Sequence, residues 1–487
     1  MTAGCVIASR RYFDIFNRTD MAASPENPSE LAPPDSTDNE PVDSLLPDWA
    51  QVAPRRRRFI SRRNGLIAFV ALVVAGFLVW INFPFIPDPV ILLGRQPELV
   101  FDSVSSGPEW TMHGRNLSQT RYVSDVLHEP QGQLVWSAET GPATLAAPIV
   151  SDGRIYLGAH FRIAALDAQT GDEVASMPAT GPIGNSLALA NGTLYYTMPD
   201  RRLVARDAET QQILWEYQMG DATSGPVAVA DGIVYAGALD GVTYAVNATT
   251  GELVWKHESL GEVRSPAALS EHFAFVASAD RSLYALDSRT GQERARFRTG
   301  AALAAAPVTA NELAYFVSER QLFAMEADAL EYPGQYAVTR TWSQLWLWGF
   351  PLPAPPSQPG DKWRFRSDYP DGFPSRQKRT EGIISAPAVT GESLYIGDTL
   401  GKLYAVDAIT GAEQWQFQGE DTILVSPIVV GNLAIYGDMA GWLYALDRSD
   451  GAERWRLKLP AGIRTEPVYA AGQLLVRTDD GALHAIR

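Results

Sequence analysis

Carboxylates and amides recur in this chain at a fixed step: Asp167, Asp207, Asn247 and Asp287, then Asp407 and Asp447. Two carboxylates act as acid and base only where they converge on one substrate. These stand forty residues apart within each run, ahead of turns such as Thr250-Gly251, Thr410-Gly411 and Asp450-Gly451. Short acidic side chains placed there bond the amides of the turn, so a structural role is expected. The histidines His113, His128, His160, His257, His272 and His484 show no metal-ligand spacing. Gly-rich phosphate loops, a Ser-centred elbow and a His-Glu-x-x-His pair are absent from the sequence. No catalytic residue and no metal site are expected. Two groups could bind. Asn185, Arg264, Arg464 and Glu466 stand where strands should enter a central channel, and could hold a small anion or form a solvated rim. Trp342, Leu345, Trp346, Leu347, Trp348 and Phe350 crowd a short span ahead of Pro351, Pro353, Pro355 and Pro356. Steps of three and four predict a helical turn. An exposed aromatic patch marks a contact with a partner, unless the rings fold back on the protein itself.

The elements that carry these residues repeat. Leu283-Tyr284-Ala285-Leu286-Asp287, Leu403-Tyr404-Ala405-Val406-Asp407 and Leu443-Tyr444-Ala445-Leu446-Asp447 are near copies. A Trp follows the anchor by eight residues at Trp215, Trp255, Trp415 and Trp455, suited to packing between neighbouring units. Each unit reads as four short strands with turn signals, as in Ser265 to Phe297, which is the pattern of a propeller blade. Counting third strands, with Glu326 and Arg487 added to the anchors and Asn247, gives eight blades. The last unit ends after its third strand, so Leu134-Val135-Trp136-Ser137 should complete it and remove an open edge. The expected fold is therefore all-β: an eight-bladed propeller of four-stranded blades over 110–487. From Glu326 to Asp407 the spacing is 81 rather than 40 residues. With Trp363 as the displaced outer-strand Trp of blade five, the excess forms inserts at about 329–361 and 367–382, on opposite faces.

Ahead of the propeller, Leu66 to Ile81 is apolar and uncharged, and Arg55 to Arg58, Arg62 and Arg63 precede it. This predicts a membrane-spanning signal-anchor over 64–84, a cytoplasmic N-terminus and an extracytoplasmic propeller. No Ala-x-Ala-like cleavage site follows the apolar run. Residues 1–63 read as a disordered tail, acidic between Met21 and Ala50, and 85–109 as a linker; Met1 or Met21 could be the start. Residues 1–65 hold nine basic and nine acidic side chains, so the remainder carries the whole net charge of −16. That balance argues against nucleic acid as a partner. The only cysteine, Cys5, is in the tail, so the exported part has neither disulfides nor thiolate chemistry.

Ala248-Thr249-Thr250-Gly251-Glu252-Leu253-Val254-Trp255, echoed by Ala408 to Trp415, resembles the tryptophan-docking motif of pyrroloquinoline-quinone (PQQ) propellers. Trp110, Gly114-Arg115-Asn116, Gln119-Thr120-Arg121-Tyr122 and Leu134-Val135-Trp136 are similar to the opening of quinoprotein dehydrogenases. The resemblance covers about 110–487 and implies eight blades. In the dehydrogenases it further implies PQQ under a vicinal Cys–Cys ring, a Ca²⁺ site and an Asp base. Another branch, serving outer-membrane β-barrel assembly, has a lean propeller and no cofactor. This chain is similarly lean, without the lipidated Cys of that branch. The expected function is a membrane-anchored, extracytoplasmic, non-catalytic scaffold that binds a protein partner and no cofactor. The alternative is a membrane-bound PQQ-dependent dehydrogenase with PQQ and Ca²⁺.

Overall fold

The computed structural model describes residues 62–81 and 109–487, apart from 125, 127, 143, 145, 224, 333 and 368–381. The acidic tail, nearly all of the linker and all but the ends of the second insert lie outside the described residues. A helix, α1 (Arg62–Ile81), covers the apolar run, with side chains described over 65–76, all exposed. Among the described residues no helix is long and apolar enough to cross a membrane.

Each blade is an antiparallel sheet running outward from the axis. In blade six the strands are Ala388–Val389, Ser393–Gly397, Lys402–Asp407 and Glu413–Gln418. Tyr395 pairs with Ala405, and Ala405 with Trp415. The inner three strands are covered on both faces by neighbouring blades, so they are near-continuously apolar. Leu394, Leu403 and Ala405 are fully buried. The outer strand alternates between exposed and half-buried positions, as a one-sided strand should. The core is therefore a ring of seams, each built from adjacent blades. Fully burying one such aliphatic side chain contributes about 1.5–3 kcal/mol.

Closure follows the truncated last repeat. After a two-residue strand β1 (Tyr122–Val123), strand β2 (Leu134–Glu139) pairs with Ala482–Ile486 as the outer strand of blade eight. One seam then joins blades seven, eight and one. Trp363 lies on Asp361–Arg366, the outer strand of blade five, so the long interval holds an insert and no ninth blade. Blade one departs from four separate strands. After β3 (Ile149–Ser151), a single element β4 (Arg154–Asp167) spans the second and third positions, and β5 (Glu173–Ile183) is outermost. The chain turns within β4 at His160, whose φ is 57°. Ile183 pairs with His160 and Pro178 with Arg162, so the register against β5 shifts at the turn.

The Trp residues sit at six blade junctions, and each meets a glycine of the next unit. A Cβ on Gly251 would approach the Trp215 ring to 2.8 Å, and one on Gly291 the Trp255 ring to 2.5 Å. Trp136, Trp363, Trp415 and Trp455 lie likewise on Gly171, Gly411, Gly451 and Gly132. The indole N–H of Trp215, Trp255 and Trp415 donates to the backbone oxygen of Ala248, Ser288 and Arg448 at 2.9–3.0 Å, and that of Trp455 to Pro130. These glycines are thus required twice, for a φ near +74° at Gly251 and for room under a ring. Ala175 and Ala295 hold the Trp position in blades one and four. The units that follow them lack this pairing: Gln211 stands at the turn of blade two, and the first insert replaces the turn of blade five.

Candidate functional site

The segment before β2 runs from one innermost strand to the next around the ring. Glu109 accepts from Ser151 Oγ and Asp152 N at the first turn of blade one, and Trp110 exchanges two backbone bonds with Val150. The carbonyls of Thr111, Leu117, Ser118, Thr120 and Arg121 then accept from the amides of Leu189, Leu269, Thr309, Val389 and Val429 at 2.8–2.9 Å. Each donor is the second residue of an innermost strand, so one short segment ties blades one, two, four, five, six and seven. β1 continues this contact by parallel pairing with Ile428–Val430. Glu129 receives Asn432 N where the segment leaves blade seven. Arg115, Gln119 and Arg121 all have positive φ, at 74°, 59° and 55°. Such backbone persists only where the surroundings over-determine it.

Inside this segment lies a buried charge pair. Arg121 is fully buried, and its Nε donates to Glu466 Oε2 at 2.9 Å. The guanidinium also donates to Gln119 O at 2.7 Å and meets His113 Nε2 at 3.0 Å. Gly114 N donates to Glu466 Oε1. Glu466 is thus held by protein groups. Of the other expected channel residues, Arg264 is half-exposed beside Glu262, with Nε 2.6 Å from a carboxylate oxygen. Arg464 is paired with Asp479 at 2.9 Å, and Asn185 is half-buried. The four do not gather into one anion site. Nothing in the forty-residue period marks Glu466 as a partner of Arg121. The one available signal is that the residue before the strand-entry proline is uncharged elsewhere, as Ala147, Gly225, Ser265, Ala386 and Ser426.

Arg121 donates to His113 Nε2, which fixes the neutral ring. Burial, acting against the attraction of Glu466, lowers the His113 pKa from 6.5 to about 4, although its rim remains 19% exposed. Between those values the unfolded chain binds a proton that the folded chain does not, so stability falls as pH drops through that window. Burial acts in the same direction on His257 and His484. The His113→Gln variant should keep the acceptor and flatten part of the slope. Urea midpoints at pH 7 and pH 4.5 test this; an unchanged pH dependence would refute it.

The anchors bind their own turns. Asp207 Oδ1 accepts from Glu209 and Thr210 N, and Asp407 Oδ1 from Ile409 and Thr410 N. The Thr170, Thr210 and Thr410 amides are the main cause holding Asp167, Asp207 and Asp407 below the usual carboxylate range.

The first insert forms helix α2 (Gln335–Leu347), in which no residue is buried. Its base is fastened to the outer strand of blade four. Glu331 N donates to Arg294 O, Gln358 bonds both backbone groups of Arg298, and Tyr336 stacks 3.8 Å from the Arg298 guanidinium. Trp342 donates to Pro353 O at 2.9 Å, folding the proline run onto the helix. Trp342 and Leu345 are half-buried, while Trp346, Leu347, Trp348 and Phe350 are 44–72% exposed. Arg340 is the only charged residue between Tyr332 and Gly360. The rings of Trp346, Trp348 and Phe350 face solvent, while Trp342 and the base fold back.

The family model described as outer membrane protein assembly factor BamB matches residues 119–258, 239–418 and 419–487, more than half of the chain. The chain belongs to the BamB-like PQQ-repeat family. Its fold is shared with BamB from Moraxella catarrhalis at 14% identity, with a TM-score of 0.57 over 73% of this chain and 99% of that one. Quinohemoprotein alcohol dehydrogenase from Comamonas testosteroni aligns at 13% identity and a TM-score of 0.62, covering 84% and 83% of the two chains. The computationally designed Ika8 protein aligns at 15% identity and 0.59, covering 73% and 99%. No curated protein is a significant match. The resemblance to quinoproteins raises PQQ and Ca²⁺ as ligands, and the residues do not fit them. Residues 110–487 contain no Cys for a disulfide ring, and Glu466 is committed to Arg121. Among the described residues no three His, Cys, Asp or Glu side chains gather as a metal centre.

Proposed function

We propose that this BamB-like propeller is a non-catalytic scaffold that binds a protein partner outside the membrane, tethered by its N-terminal apolar segment. The exposed α2 surface carries the reading: an aromatic helix with Arg340 as its single charge, fastened at its base and bare on its flanks. Exposed patches of this kind mark protein contacts, and Trp is enriched among the residues that dominate binding energy. BamB is described as an assembly factor, which supports a scaffold reading. The tether rests on the Arg block before the apolar Leu66–Ile81 run. Trp346, Trp348 and Phe350 form the contact, with Trp342 and Leu345 supporting them. A photo-reactive residue at Leu347, which is exposed between Trp346 and Trp348, should cross-link one protein species in native membranes. Changing Trp346 and Trp348 together to Ala should abolish that species with little change in melting temperature, since both rings are exposed. A cross-link that survives the double change, or a large melting drop with binding retained, would sink the proposal.

A further inference from the structure

The residue after each anchor is small in six blades: Ala168, Ala208, Ala248, Ser288, Ala327 and Ala408. In blade seven it is Arg448. Arg448 borders a cleft of about 600 Å³ between blades six and seven. The cleft is walled by Tyr122 from β1, the Thr390–Ser393 turn and Gln414. The Arg448 guanidinium donates to the Tyr122 hydroxyl at 3.3 Å, and among the described ion pairs none includes Arg448. The adjacent carboxylate, Asp447, is taken by Arg454 and Ser449.

Donor accounting gives the ligand class. Ser393 Oγ donates to Gln414 Oε1 at 2.8 Å, which leaves the Gln414 Nε2 as a donor. Thr390 Oγ1 donates to Ser393 O. The Tyr122 hydroxyl accepts from Arg448 and keeps its own proton to give. The cleft therefore offers a guanidinium, a phenolic O–H and an amide NH₂. Of its other ionisable wall groups, Tyr395 donates its hydroxyl to Arg448 O at 3.1 Å, and Glu392 is exposed. A guanidinium fork matches the two oxygens of a carboxylate, and Glu392 at the rim disfavours polyanions. We propose that this cleft is a carboxylate-binding site, filled by a small carboxylic acid or by the C-terminal carboxylate of a peptide. The site stands on its own geometry, whether or not α2 holds a partner.

Calorimetric titration of the full-length chain with succinate, with a short peptide acid and with the same peptide C-terminally amidated tests it. At least one of the two acids should bind, and the amide should not. Succinate alone would identify a small-molecule site, and the peptide acid alone a terminus-capturing one. The Arg448→Ala variant carries the residue that five other blades already hold there, so it should fold. It should bind about tenfold or more weakly, with Arg448→Lys intermediate because an ammonium lacks the fork. Silence from both acids at millimolar concentration, or equal binding by Arg448→Ala, would overturn the assignment.

Discussion

Deleting residues 110–139 should leave a protein that aggregates rather than a smaller monomer. The deletion removes β2, the outer strand of blade eight, and opens the seam that joins blades seven, eight and one. It also strips the carbonyl acceptors from six innermost strands. Each buried amide left without a partner costs about 1–3 kcal/mol. Six such losses rival the whole 5–15 kcal/mol that holds an ordinary domain together. Exposed strand edges then pair between molecules. Sedimentation and light scattering of the purified deletion are the measurement. A monomer with unchanged melting would show that neither the inner-ring segment nor the closing strand holds the ring.

The second large effect is expected at the axis. Glu466→Ala removes the one carboxylate against Arg121, which is fully buried. Removing one partner of a buried ion pair costs about 3–5 kcal/mol, because the remaining charge is left without compensation. Replacing both groups by apolar residues, as Arg121→Met with Glu466→Leu, should recover most of that loss. Urea unfolding midpoints of the single and double variants decide it. A single variant within about 1 kcal/mol of the parent, the usual scale of an exposed pair, would mean that water reaches the pair.

These two effects differ in how readable they were. The forty-residue period, the anchors, the Trp positions and the missing last strand lie in local sequence, and they led to eight blades, to closure by β2 and to an insert in blade five. Local sequence could not show the path of residues 109–123. Its partners are backbone amides, which carry no side-chain signature, and the Arg121–Glu466 pair spans 345 positions. Glu466 was legible as a polar group near the axis but not as the neutraliser of a buried arginine. The contact of each Trp with a glycine of the next unit was likewise hidden. The turn alone accounts for the glycine, and the ring above it comes from another repeat. For the insert, helical spacing of Trp342, Leu345 and Trp346 was visible. Which side the rings face was not, because Arg298 and Gln358, sixty residues apart in the chain, set the base.

The scaffold reading is tested most directly by replacing the insert between Glu326 and Asp361 with the short turn that joins Asp407 to Glu413 in blade six. The exchange restores the ordinary repeat and removes α2 while leaving every blade strand in place. Full-length parent and exchange variants would be purified from native membranes and their co-purifying proteins quantified. The account predicts one protein near stoichiometric with the parent, reduced at least about tenfold, or roughly 1.4 kcal/mol, in an exchange variant that still melts cooperatively. Equal recovery from both chains would contradict it. So would a parent that brings down no partner but oxidises alcohols with an added dye once quinone and Ca²⁺ are supplied.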